Sequence, residues 1–216
     1  MFQFKQQSKE QMKLLRLVLG FMCFFLPELS ILPGFIAFAK NGSEFFYSIS
    51  ATFYATSNVH MIAALKITAI FFLCYKGYSW FDRVLTLIMA LTANLIVDFP
   101  CLCQAATQIV GPWQVPVEIS SMIHNISAAI LFGSFWVMVR FGFTQSDKTK
   151  RMTAKKRIRN DIYMICSLFI MVGAASQVIT SVIGVRWMTI INEAVMLKAF
   201  GIAWLVKSEL FKHLND

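Results

Sequence analysis

Acidic residues are scarce in this chain: eleven Asp and Glu stand against twenty Lys and Arg, and charged residues make up only 14% of its 216 positions. An ordinary water-soluble domain carries about 25% charge, so this surface is not built for water. Histidine is scarcer still, with His60, His124 and His213. No H-x-x-x-H or H-E-x-x-H spacing occurs among them, so the usual zinc patterns are missing. There is no G-x-S-x-G elbow, no Gly-rich phosphate loop, no heptad array, no low-complexity segment and no internal repeat. The five cysteines, Cys23, Cys74, Cys101, Cys103 and Cys166, are scattered through apolar stretches rather than set out as a disulfide framework. Most read as small core residues. Cys101 and Cys103 differ, because they fall at an expected outer helix end where oxidation is possible.

What the chain has is apolar length, with 57% of its residues hydrophobic. A bilayer core about 30 Å thick takes roughly 20 apolar residues per helical crossing. Runs at about 14–38, 56–75, 83–103, 117–140, 161–183 and 187–206 meet that requirement. The expected fold is therefore all-α, a single polytopic transmembrane helix bundle of six spans over 1–216. Pro27, Glu28, Pro33 and Gly34 make the first span the least regular, and a kink or break is expected there. The same start also fits a signal peptide, with Lys13 and Arg16 as its charged region and Ala37-Phe38-Ala39 as its cleavage site. Its apolar run is longer than such a peptide needs, which favours retention.

Orientation follows from Lys and Arg, which stay on the cytoplasmic side of short loops. Placing both ends inside leaves only Lys40 and Arg186 outside, with Lys66 and Lys198 inside spans. The expected location is a cytoplasmic membrane, crossed several times. Residues 144–160 form the most basic connection, with seven cations between Lys148 and Arg159. Its expected partners are anionic headgroups of the bilayer, with a docking site for an acidic protein as the alternative. The formal charge of +9 lies in connections rather than on a folded face, so nucleic acid is not an expected partner.

Ionisable groups within a membrane span are costly unless they face the bundle interior or a wet cavity. Glu28, His60, Lys66, Asp98, His124, Glu193 and Lys198 are such groups. Counting 1.5 Å per residue puts His60, Asp98, His124 and Glu193 on the order of 7–12 Å below the outer surface, on four different helices. Asn94, Asn125, Gln177 and Asn192 thicken that layer, while Glu28, Lys66 and Lys198 lie nearer the midplane. One reading is an outward-facing polar pocket that binds a small molecule, an ion or a lipid headgroup, with His60, Asp98, His124, Glu193, Asn192, Gln177 and Glu28 as its binding residues. The other is a set of interhelical bonds that fix packing, each contributing about 0.6–2 kcal/mol.

Two imidazoles and two carboxylates would satisfy a tetrahedral zinc, but without the spacing no metal or other cofactor is expected. A nucleophile is conceivable in Ser50, Thr52 or Thr56 at the outer start of the second span, with His124 as base.

The strings Ile123-His124-Asn125-Ile126-Ser127-Ala128-Ala129-Ile130-Leu131-Phe132, Arg159-Asn160-Asp161-Ile162-Tyr163, and Glu193 with Ala199-Phe200-Gly201-Ile202-Ala203-Trp204-Leu205-Val206-Lys207 resemble a family of small bacterial multi-pass membrane proteins without an established activity. The likeness is clearest over the last three spans. Ser50 to Tyr78, with Phe99-Pro100, matches more loosely, and Val59-His60 stands where relatives show an Arg-Asp pair. That resemblance implies membrane location only. The layout is also similar to the six-span androgen-induced lipid hydrolases, which implies roles for Thr52 or Thr56 with His124. It is less similar to the ceramidase and progestin-receptor superfamily, whose third zinc-binding histidine and seventh span are missing here. The expected function is binding, sensing or passage of a small solute or lipid. An intramembrane ester or amide hydrolase is the alternative, followed by a structural partner of another membrane protein.

Overall fold

A computed structural model describes residues 9–41, 47–54, 58–77, 79–103, 105–145 and 152–215. Six α-helices make up most of it: α1 (Lys9–Asn41), α2 (Asn58–Cys74), α3 (Trp80–Asp98), α4 (Val117–Val137), α5 (Ala154–Val182) and α6 (Met188–Lys207). A 3₁₀ turn, Ser50–Tyr54, precedes α2, and α4 continues through a π-helical turn, Met138–Gly142. A two-residue hairpin, β1 (Ile109–Val110) on β2 (Val115–Pro116), lies before α4. It is a small exception to the all-α expectation.

Five helices are long and apolar enough to cross a membrane. The remaining one, α2, has 17 residues, about 25 Å of helix. The protein is thus a membrane-embedded helix bundle turned inside out in composition. Ile165, Leu168, Phe169, Val172 and Ile179 of α5 are all exposed, an apolar surface suited to lipid rather than water.

Several ends differ from expectation for local reasons. The first helix starts at Lys9 and runs unbroken through Pro27 and Pro33. Ser30 Oγ donates to the Leu26 carbonyl at 2.8 Å in that stretch. The third helix stops at Asp98, not 103, because Phe99 precedes Pro100 and is pushed out of the helical region. The basic connection is shorter than 144–160. Thr153 caps α5 by accepting from the Lys156 amide at 3.0 Å, which draws Lys155, Lys156, Arg157 and Arg159 into its first turns. The far end of α5 closes on Gly184, whose φ of +76° suits the left-handed residue of this turn, and the Val185 amide reaches back to the Thr180 carbonyl at 2.9 Å.

Helix α6 is the centre of the bundle, packed between α1 and α5, while α3 lies between α2 and α4. The α1–α6 approach depends on two glycines. A Cβ on Gly201 would lie 2.6 Å from the Phe24 amide nitrogen, and one on Gly20 would lie 2.7 Å from the Leu205 side chain. Such close backbone approach is how membrane helices gain dispersion contact where lipid offers no hydrophobic drive. An aromatic stack fills the half beyond. Phe135 lies flat on Phe200 with centroids 3.7 Å apart, and Trp204 meets Tyr75 and Phe143 edge-on at 4.9 and 4.8 Å.

Candidate functional site

The bundle has two chemically different ends. One carries the 3₁₀ turn, the hairpin and the starts of α4 and α6; we call it the polar end. The other gathers the starts of α1 and α5 with the end of α6; we call it the basic end.

At the polar end Glu193 binds backbone. The Ile49 amide donates to its Oε2 at 2.6 Å, and Ser50 lies beside the same carboxylate. The Ile190 amide donates to the Tyr47 carbonyl at 2.9 Å, so the turn is fastened to α6 at two points. Tyr54 fastens it again by donating to the Cys101 carbonyl at 2.8 Å. Removal from solvent pushes the Tyr54 hydroxyl above its ordinary range. The Cys101 thiol is pushed up to about 12 by burial first and then by the nearby Glu193 and Cys103. Cys101 and Cys103 are not joined in a disulfide.

His124 is buried on the face of α4 that also carries Ser120, Ser127, Leu131 and Ser134. Its Nδ1 lies 2.8 Å from the Phe99 carbonyl and 3.1 Å from that of Ile96. Carbonyls only accept, so Nδ1 carries the proton and Nε2 the lone pair. Ser120 donates to the Pro100 carbonyl at 2.8 Å. Together the two side chains bond carbonyls in the last turn of α3 and just beyond its end. Asp98 meets Lys66 Nζ at 2.6 Å. Lys66 lies two turns into α2, and its stem reaches up to the carboxylate.

The residues expected to wall an outward pocket are thus distributed differently. His60 is exposed on α2, away from the buried His124. Asn192 belongs to a polar cluster between α5 and α6, donating to Gln177 Oε1 at 3.2 Å, while Gln177 reaches Thr189 Oγ1 at 3.2 Å. Asn94 donates to the Ala90 carbonyl of its own helix. Glu28 lies deeper and is ion-paired with Lys198. Lys198 Nζ also lies 3.4 Å from the Phe24 carbonyl, in the turn before Pro27, and 4.3 Å from the Phe24 ring.

Of the hydroxyls proposed as nucleophiles, Thr52 donates to the Ile49 carbonyl at 2.6 Å and Ser50 faces Glu193. Thr56 lies outside the described residues. Among the described residues no group of three or more His, Cys, Asp and Glu is placed to hold a metal ion.

The basic end holds a cavity of about 190 Å³ between α1, α5 and α6. Arg16, Lys156, Arg159 and Lys207 line it, with Tyr163 and Glu209. Arg16 is 2% exposed. Its Nη1 donates to the Lys207 carbonyl at 3.3 Å, and its guanidinium lies 5.8 Å from the Tyr75 ring centroid. Arg159 donates to the Leu214 carbonyl, tying the tail to α5. Glu209 bridges to Lys13 at 2.8 Å.

The Lys and Arg distribution puts these cations on one expected side of a membrane without bringing them together. Arg16 and Lys207 are 191 positions apart, and no local pattern signals their meeting. No family model, curated protein or solved structure matches the chain.

Proposed function

We propose that this chain is a six-crossing protein of a bacterial cytoplasmic membrane, with its termini and its basic end inside, and that it binds a small solute or lipid without turning it over. The observation that carries the reading is the cavity of about 190 Å³ lined by Arg16, Lys156, Arg159 and Lys207. The sixth crossing is assigned to α2. Its Tyr75 end lies against Trp204 at the basic end, and its start follows the turn that Glu193 holds at the polar end. The bacterial location rests on the resemblance of the last three spans.

One observation favours hydrolysis as a second reading. With Nδ1 committed to two carbonyls, His124 presents at Nε2 the lone pair that a general base needs. Two measurements decide. Single cysteines introduced at Gly42 and Trp113 should label from outside the cell while one at Lys155 does not; labelling at 155 without permeabilisation overturns the orientation. Lipid profiles of a strain lacking the protein should show no accumulating ester or amide lipid. Accumulation that His124→Ala reproduces would establish the hydrolase instead.

A further inference from the structure

Just past the end of α3, residues 101–103 form neither helix nor strand, and their burial alternates. Cys101 is 9% exposed, Leu102 60%, and Cys103 falls between them. In extended chain such alternation puts side chains i and i+2 on one face and the residue between them on the other. The two cysteines therefore face the same way. A third side chain agrees with that placement. The Tyr54 hydroxyl, which donates to the Cys101 carbonyl at 2.8 Å, lies within electrostatic range of both thiols, and Cys103 lies within the same range of Cys101.

Two residues of extended chain span at most about 6.6–7.2 Å, and disulfides usually join Cα atoms about 4.4–6.8 Å apart. A bridge between these cysteines closes with a small contraction of the segment. It is a strained bridge, and strained bridges are the readily reduced ones. The two sulfurs also differ in access. Cys101 is buried beside Ser48 and Glu193, and its thiol is pushed up to about 12, by burial first. The thiolate is the attacking form, so the more accessible Cys103 meets an incoming sulfur first and Cys101 reacts with what its neighbour has captured. Cys23, Cys74 and Cys166 have no second cysteine so close in sequence.

We propose that Cys101 and Cys103 form a reversible dithiol–disulfide site that exchanges with a disulfide substrate at the polar end. The Cys103 thiolate attacks one sulfur of the substrate, expelling a first thiol and leaving a mixed disulfide at Cys103. Cys101 then attacks the Cys103 sulfur and expels the second thiol. The protons of the two cysteines end on the two expelled thiols. The dithiol is oxidised by two electrons and the substrate disulfide is reduced by two. This exchange does not depend on the ligand reading of the basic-end cavity, and the orientation of the chain decides only on which side of the membrane the substrate is met.

The test uses the full chain in phosphatidylcholine nanodiscs, with oxidised glutathione as the probe. Adducts are quenched with acid, alkylated and mapped by mass spectrometry. The native chain should end with a Cys101–Cys103 bridge, release two equivalents of reduced glutathione and return to the dithiol with dithiothreitol. Cys101→Ser should stop at the mixed disulfide on Cys103. The level of that adduct should then exceed the level in the native chain on the order of tenfold or more, because an adjacent thiol acts at high effective concentration. Cys74→Ser should leave the bridge unchanged. Circular dichroism checks the folding of each variant, and the native chain gives its answer without them. Equal Cys103 adduct in the native chain and in Cys101→Ser would make Cys103 an ordinary accessible thiol and overturn the proposal. A bridge that forms only after denaturation, or that joins either cysteine to Cys74, would overturn it as well.

Discussion

The two ends of the bundle treat charge in opposite ways. At the polar end acids and bases are outnumbered by backbone: Glu193 faces amides, His124 faces carbonyls, and Asp98 takes Lys66. At the basic end four cations converge on one cavity. A polar group bonded to the open end of a helix or turn relieves a fixed desolvation cost and leaves little valence for a ligand. Depth in a membrane is thus a poor guide to function unless one knows what each side chain already holds.

The largest expected effect comes from the seam that serves both ends. Gly201→Val would drive a branched side chain into the Phe24 backbone, separating the helices that carry both the Glu28–Lys198 pair and the Arg16–Lys207 contact. Thermal unfolding in detergent should show a loss of about 3 kcal/mol; unchanged stability would mean that the approach is not tight. Next comes the ion pair between the ends. Glu28→Gln leaves Lys198 without its carboxylate at a cost of about 2 kcal/mol, and adding Lys198→Met should restore most of it, since an unpaired charge is worse than no pair. Additive losses in that double variant would show the two residues to be energetically independent. Smaller again is the effect of Glu193→Ala, which strips the Ile49 amide of its acceptor for about 1–2 kcal/mol. Proteolysis of the 47–54 turn should quicken while protease sensitivity at the basic end stays unchanged, and a simultaneous change there would break the separation of the two ends. The smallest effect is on reactivity alone. The thiolate is the reactive form, and with its pKa pushed up to about 12 Cys101 should label with maleimide far more slowly than Cys103 at neutral pH. Its rate should rise only as the pH approaches that value; equal rates at neutral pH would show that Cys101 is not shielded.

The helical class and the positions of most spans were legible because apolar length survives any packing arrangement. Facing direction was not. Helix α2 is apolar nearly all round, so nothing in its periodicity tells His60, which is exposed, from Ala64, which is buried. Counting residues placed Lys66 near the midplane and Asp98 in the polar layer, but a lysine stem is long enough to join the two. Thr153 carried a readable capping signal for an early start of α5, and the basic run after it masked that signal by resembling a loop. The cavity was illegible for a different reason. It requires the first helix to meet the last, and the sequence holds no repeat or motif that records the pairing.

That pairing also has a consequence for how the protein is made. Glu28 and Lys198 are separated by 170 positions, and at a synthesis rate of about 5–20 residues per second the lysine follows the glutamate by roughly 10–30 s. Through that interval α1 carries Glu28 and Arg16 without the helix that receives them. Nascent α1 must therefore be held at the insertion machinery, be shielded by an earlier neighbour such as α2, or let water and headgroups in around Glu28. A chain cut short before α6 would lack the Lys198 partner of Glu28 altogether.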